Sequence, residues 1–249
     1  MSHPPEIPRY GQPNFEYIKR MSATTPEADG PVYMVNLMKY RVSASYADGN
    51  PLGRTGREAD DAYAPAEILR DIGAEIVFAA DVVRQLEGDA TTWDRVAVVK
   101  YPTRASFVAM QRRPDFKEKH VHKEAGMEQT IVLSCTPSPV LNEVVTPAPS
   151  LVGLRVTNFL PGSSYERAGI PGAVLQVDLV VEAAVVGDGR EWKRVRFFAL
   201  PDATAVDTIE PSESETGGQY TIVLTPERNR ITESSRETLA AQDTKTHEH

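Results

Sequence analysis

The chain has 249 residues, 41% apolar and 25% charged, with a formal net charge of −8 and a pI near 5.2. That size and balance suit a soluble globular protein of one or two domains. The acidity argues against a nucleic-acid partner, which needs a basic patch, and no stretch approaches the ~20 apolar residues of a membrane span.

The start, MSHPPEIPRY, lacks the basic-then-apolar pattern of a signal peptide. The single cysteine, Cys135, excludes an internal disulfide and reads as inert filling at a strand end. A cytoplasmic location is the expectation. Within the first 30 residues, Asn14–Met21 spaces Phe15, Ile18 and Met21 as a short helix capped by Asn14. Such an arm is expected to pack over an exposed face of the next domain; a substrate lid is the alternative.

Val32–Tyr40 (VYMVNLMKY) is apolar on both faces and predicts a strand covered on both sides. Alternation puts Val32, Met34, Asn36, Met38 and Tyr40 together. A buried amide costs about 1–3 kcal/mol unless its hydrogen bonds are met. Asn36 is therefore either tied to neighbouring backbone or a polar anchor in an apolar pocket. After a loop marked by Asp48-Gly49-Asn50-Pro51, residues 55–72 predict a helix that Pro65 bends or divides and Gly73 stops. Ala62, Ala66, Leu69 and Ile72 form its expected buried stripe. Asp60, Asp61 and Glu67 fall on the solvated side with Tyr63 at the margin, unless the helix turns Asp60, Asp61 and Tyr63 inward as acid or base.

Two strands follow, Glu75–Leu86 and Trp93–Tyr101, the second placing Trp93, Arg95, Ala97, Val99 and Tyr101 on one face. A helix from Thr103, interrupted at Pro114, and a closing strand over Gln129–Ser134 complete the order strand, helix, strand, strand, helix, strand. That is the ferredoxin-like split βαβ unit.

The chain then repeats itself. Residues 73–102 align without a gap on 172–201, and nine of thirty positions are identical, including Gly73/Gly172, Asp89/Asp188, Trp93/Trp192, Arg95/Arg194 and Pro102/Pro201. Unrelated segments would match at roughly two. A period near 100 residues means a duplicated domain rather than a solenoid. Leu151–Phe159 matches Val32–Tyr40, and Thr221–Leu224 matches Thr130–Leu133, with offsets falling from 119 to 99 to 91. The strands are kept and the helices cut back, only PGSSYERAGIP standing where the first helix was. The division is an arm (1–30), a complete ferredoxin-like copy (31–136), a Pro-rich linker (137–149), a degenerate copy (150–225) and a flexible tail (226–249). Each sheet needs cover on its second face, so the fold class is α+β: two tandem units pairing sheet to sheet as an intrachain barrel.

Val32–Tyr40, Tyr63, Gly73-Ala74, Trp93-Asp94-Arg95 and Lys100–Phe107 resemble an uncharacterised (domain-of-unknown-function) family of the dimeric α+β barrel superfamily. That superfamily also holds antibiotic-biosynthesis monooxygenases, muconolactone isomerases and NipSnap proteins. The likeness covers residues 31–136 well and 150–225 only as a worn copy. It implies a pocket between sheet and helices and cofactor-free oxidation, isomerisation, decarboxylation or dehydration of small, often aromatic molecules. The family's tyrosine is replaced here by Asp60, while Tyr63 keeps the later one. Arg155 stands where the first copy has Asn36, so one complete pocket, in the N-terminal half, is expected per chain.

Among chemical candidates, His120 and His122 lie in KEKHVHKEAG. They read as a solvated basic segment, as a general base, or, less readily because His-x-His on a helix points two ways, as metal ligands. Trp93 and Arg95 recur as Trp192 and Arg194, which favours structural packing; a buried Arg95 would want an acidic partner or a substrate carboxylate. No Walker loop, dinucleotide fingerprint, zinc pattern, Gly-x-Ser-x-Gly elbow or Cys–His signature occurs. The expectation is a cofactor-independent enzyme on a small apolar or aromatic substrate, with no metal, no nucleic-acid or membrane partner, and a homodimer of the fused chain as an option. Its catalytic candidates are His120, His122, Tyr63 and Asp60; Asn36, Trp93 and Arg95 would bind substrate. The rival is a non-catalytic ligand-binding or structural barrel.

Overall fold

Strands that are apolar on both faces must be covered on both, and the chain achieves this by closing its sheet on itself. The computed structural model describes residues 10–49, 53–139, 149–159, 172–200, 202–207, 209–210, 212–213 and 218–247. In chain order the elements begin with β1 (Gln12–Pro13), α1 (Phe15–Ala23), β2 (Val32–Tyr40), α2 (Gly56–Tyr63), α3 (Ala66–Asp71), β3 (Glu75–Gly88) and β4 (Arg95–Tyr101). Next come α4 (Arg104–Arg112), α5 (Pro114–Gly126), β5 (Met127–Pro137), β6 (Val152–Thr157), β7 (Val174–Gly187) and β8 (Arg194–Ala199). The chain ends with α6 (Ala203–Asp207), β9 (Ser212–Glu213), β10 (Gln219–Asn229) and α7 (Ile231–His247).

Eight strands form a closed antiparallel barrel in an α+β fold, in the order β5-β2-β4-β3-β10-β6-β8-β7 and back to β5. The first four strands of that ring and the second four run through their own segments in the same sequence. The β3–β4 and β7–β8 hairpins also turn alike: Asp89 Oδ1 accepts from the Thr91 amide at 2.9 Å, and Asp188 Oδ1 from the Arg190 amide at 3.1 Å. Gly73 and Gly172 enter those hairpins at φ 71° and 73°, a conformation that side chains with a Cβ rarely adopt.

Strand alternation sorts the side chains. Tyr33, Val35 and Leu37 of β2, Val96 and Val98 of β4, Ile131 and Leu133 of β5, Leu154 and Val156 of β6, Phe197 of β8 and Ile222 of β10 fill the interior. A ring of eight strands leaves room for little else. Phe78 meets Phe197 edge-on at 5.0 Å, and Tyr220 sits between Trp93 (5.7 Å) and Trp192 (5.5 Å). The outward side chains of the first half meet the helices in a second apolar layer that includes Met34, Leu69, Tyr101, Phe107, Met110 and Phe116.

Several expectations need correction. Trp93 does not share the Arg95 face, because β4 begins only at Arg95 and alternation holds only inside the ladder; Trp93 turns into the barrel. Of the stretch 226–249, the described residues 226–247 are not a loose tail. β10 runs to Asn229, and α7 packs against β3, β5 and β7, with Ile231, Thr232, Ser234, Ser235 and Thr238 buried. Its small hydroxyl residues receive the inward Tyr33 hydroxyl, 2.8 Å from Ser234 O and 2.9 Å from Thr238 Oγ1. The predicted helix over 55–72 is two pieces broken at Ala64-Pro65, and the break shifts its buried stripe to Ala59, Ile68 and Leu69, leaving Ala66 exposed. Linker residues 140–148 and the shortened helix region 160–171 lie outside the described residues. Cys135 is buried in the barrel, its Sγ 3.6 Å from Leu133 O.

Candidate active site

The outward face of β2 and β4 is apolar except at Asn36 and Arg95, so whatever packs on it leaves polar groups to satisfy. A cavity of about 440 Å³ lies there, walled by Met34, Asn36, Met38, Arg95, Ala97, Val99 and Tyr101 and roofed by α2, α3, α4 and α5. The N-terminal arm closes one side. Tyr10, Pro13, Phe15 and Ile18 line the cavity, while Phe15 remains 47% exposed at its edge.

Both halves hold the arm: the Thr130 amide of β5 donates to Tyr10 O at 2.8 Å, and the second half adds β7. β1 pairs with Val186 and Gly187 of β7, and the Asn14 amide donates to Val185 O at 2.8 Å. Asn14 caps α1 by accepting from the Tyr17 amide at 2.9 Å, as its position predicts. The Tyr17 hydroxyl donates to Glu182 Oε2 at 2.6 Å and lies 2.7 Å from Ser134 Oγ. Arg104 joins the group, donating from Nε to Glu182 at 3.0 Å and from Nη1 to Asp29 at 3.1 Å. Burial pushes the Glu182 carboxyl up, but Arg104 and Tyr17 outweigh it and hold the group below its usual range. Val185 and Val186 also line the cavity, so its wall is not built by the N-terminal half alone.

The ionisable groups gather where α2 and α5 face β2. Asp60 lines the cavity, and its Oδ2 accepts from the Tyr40 hydroxyl at 2.7 Å. Burial raises its pKa, against the opposing pull of that hydrogen bond and of the Lys123 charge. Asp60 and Asp61 of α2 both line the cavity, Asp61 with its side chain 63% exposed beside Arg57. Lys123 on α5 also lines the cavity and is only 8% exposed. Its Nζ lies 5.3 Å from the Tyr63 ring centroid and 5.9 Å from that of Tyr10. Among the described residues it has no hydrogen bond or ion pair. Burial lowers its pKa, opposed by the charges of Asp60 and Glu124.

His120, one turn before Lys123, lies with Nε2 3.0 Å from the Tyr10 hydroxyl and packs on Tyr63 and Phe116. Burial, and then the Lys123 charge, lower its pKa to about 4, so the imidazole is neutral near pH 7. Burial also holds the Tyr10, Tyr40 and Tyr63 hydroxyls far above their ordinary range.

The cavity brings together five sequence candidates: Asn36, Asp60, Tyr63, Arg95 and His120. Asn36 is tied to neighbouring backbone, donating to Met34 O (3.0 Å) and Ala97 O (3.4 Å), and also lines the cavity. Arg95 finds its acidic partners within the chain, 2.8 Å from Asp81 and 2.7 Å from Glu227. Two candidates fall elsewhere. Trp93 is inside the barrel, and His122 points away from the cavity, its Nδ1 2.9 Å from the Tyr46 hydroxyl. The two histidines thus face different neighbours, as His-x-His spacing on a helix requires.

Lys123, Tyr10 and Tyr40 were missed from the sequence. The readable signal for Lys123 is the i, i+4, i+7 stripe of Phe116, His120 and Lys123, which puts the lysine on the apolar-facing side of an otherwise charged helix.

The fold and cavity define an α+β barrel bearing a half-open, largely apolar pocket with an ionisable corner outside the barrel wall. No family model matches the chain, and no curated protein does. Among solved structures, a protein of unknown function from Rhodopseudomonas palustris is similar at 29% identity over 50% of this chain and 94% of its own, with a TM-score of 0.44. A methylated form of that protein gives 27% identity over 57% and 100%, with a TM-score of 0.45. A "putative monooxygenase" from Lactobacillus acidophilus NCFM is similar at 12% identity over 79% of this chain and 94% of its own, with a TM-score of 0.35. Among the described residues, no helix is long and apolar enough to cross a membrane.

Proposed function

We propose that the chain is a tandem of two ferredoxin-like units closed into one barrel, and that it is a cofactor-independent enzyme acting on a small apolar or aromatic molecule by acid/base chemistry. The repeated strand order and the matching Asp89 and Asp188 turns support the first part. One observation carries the second: Asp60, Lys123 and His120 converge on one corner of an otherwise apolar cavity. Its volume is within the range of small-molecule sites, ~300–1,000 Å³.

General acids and bases work best with pKa values near the working pH. Burial moves Asp60 up and Lys123 down, each toward neutrality, whereas it moves His120 away, to about 4. The proton-carrying role therefore passes from His120 to Asp60 and Lys123. Burying the two groups together lets one give a proton while the other accepts it, without leaving an isolated charge in the cavity. Tyr63, Phe107 and Phe116 hold the apolar body of the substrate. Asn36 and Arg95, on the opposite wall, orient its polar end, Arg95 being fixed by Asp81 and Glu227. Tyr10 and His120 complete a dry corner, and the arm excludes water.

The test is metabolite profiling of a cell lysate incubated with wild-type protein, with Asp60→Asn and with Lys123→Met. Substrates consumed by the wild type alone are the expected result. Identical profiles for all three proteins would defeat the enzymatic reading.

A further inference from the structure

We propose that Lys123 is a covalent catalyst that captures the carbonyl carbon of an apolar aldehyde or ketone as an iminium, which names the substrate class of the pocket and rests on that pocket being the active site. Structural lysines bury their stems and keep the ammonium in water or on a carboxylate. Lys123 instead presents its ammonium to the cavity, with no carboxylate on it. It is 8% exposed, and its Nζ has no hydrogen bond or ion pair among the described residues. The amine lies against the Tyr63 and Tyr10 rings on the cavity wall. A lysine desolvated in an apolar pocket is an activated nucleophile, because its free amine is populated at neutral pH.

The step balances without an oxidant or a metal. The Nζ lone pair forms a bond to the carbonyl carbon, and the C=O π pair moves to oxygen, which takes a proton from the Asp60 carboxylic acid. The ammonium formed on nitrogen returns a proton to the Asp60 carboxylate, giving a neutral carbinolamine. Asp60 then protonates the hydroxyl, the C–O bond breaks, and water leaves as the nitrogen lone pair forms C=N⁺. Amine, carbonyl compound and one proton give iminium and water, and the Asp60 carboxylate remains as its counter-charge. Asp60 is suited to both transfers because its pKa is raised and its second contact, the Tyr40 hydroxyl, holds it in place.

The test uses the full chain at pH 7 with benzaldehyde and sodium cyanoborohydride, followed by digestion and mass spectrometry of the lysine peptides. Each unit by which a lysine pKa falls raises its free-amine fraction about tenfold. Lys123 is therefore expected to be benzylated faster than Lys117, an exposed lysine of the same helix, and Lys123→Arg removes that adduct. Labelling of Lys123 no faster than Lys117 overturns the proposal. A parallel arm measures hydrogen exchange of α2 and α5 with benzyl alcohol, which has the ring and lacks the carbonyl. Protection there without Lys123 labelling sinks the iminium and leaves the acid/base pocket standing. Neither protection nor labelling sinks both.

Discussion

Lys123→Met should make the protein more stable while removing its activity. Moving an ammonium out of water carries an effective penalty of several kcal/mol. Here the compensation is partial: two tyrosine rings at 5.3 and 5.9 Å, and the charge of Asp60 without a direct ion pair. Cation–π contacts contribute ~0.5–2 kcal/mol each, which leaves a deficit of about 1–3 kcal/mol that a thioether of similar length does not incur. For a chain of this size that corresponds to roughly 2–10 °C in Tm.

The pH dependence gives the sharper reading. The folded-state pKa of Lys123 is lowered while the unfolded value stays near 10.5, so between the two the unfolded chain binds more protons. Stability therefore rises with pH through that window, and the penalty is fully present below the folded pKa. Urea melts of both proteins from pH 6 to 10.5 should show the advantage of Lys123→Met shrinking as pH rises, the groups that do not feel the Lys123 charge cancelling in the difference and Asp60, which does, titrating higher in the variant. A variant less stable than wild type at pH 7, or an advantage independent of pH, would refute the claim that Lys123 is a desolvated and poorly compensated amine.

Three further outcomes follow from the same geometry. Tyr40→Phe removes the 2.7 Å hydrogen bond that lowers the Asp60 pKa, costing about 1.5–3 kcal/mol. It should also move the Asp60 titration, followed by carboxyl NMR, further up. Because that pKa is raised on folding, the accompanying stability is lost as pH rises through it, and the loss should shift to higher pH in the variant. Glu182→Gln weakens the tie from Tyr17 and Arg104 to β7 by about 1.5–3 kcal/mol, enough to speed arm opening roughly 10- to 100-fold; hydrogen exchange over residues 12–23 reads this while the barrel strands stay protected. Gly126→Ala places a Cβ 2.5 Å from Gly56 O and 3.0 Å from Ala59 Cβ, forcing α2 and α5 apart at a cost of about 1–3 kcal/mol and lowering Tm in a thermal melt.

The barrel was legible because alternation on strands with two apolar faces leaves few arrangements: Val32–Tyr40 sorted correctly, residue by residue. Trp93 was misplaced because parity was carried two residues past the start of β4, where the ladder no longer sets direction. α7 was hidden because a helix that packs with Ser234, Ser235 and Thr238 has no hydrophobic signature; its burial depends on Tyr33, 201 residues away in sequence from Ser234, offering a hydroxyl. Asp60 and Lys123 belong to segments whose composition says solvent. Only the arm, α2 and the β2 wall, brought together in three dimensions, turn that charged surface into an ionisable corner.

What the second half of the barrel does for the site follows from where the cavity is. The barrel interior offers no room, since Phe78, Phe197, Trp93, Trp192 and Tyr220 fill it from both halves. On the proposed function, a ligand binds outside, on a wall that must be rigid to hold Asn36 and Arg95 in place. The second half stiffens that wall by completing the barrel, and β10 supplies Glu227 to fix Arg95. It also reaches around the first half: β7 pairs with β1, accepts from Asn14 and anchors Tyr17 through Glu182. In a barrel made from two separate chains those contacts would depend on association. Here one chain supplies both sides of those contacts, so they are intramolecular. The helices that roof the cavity come from the first half, and β7 of the second helps to hold its cover.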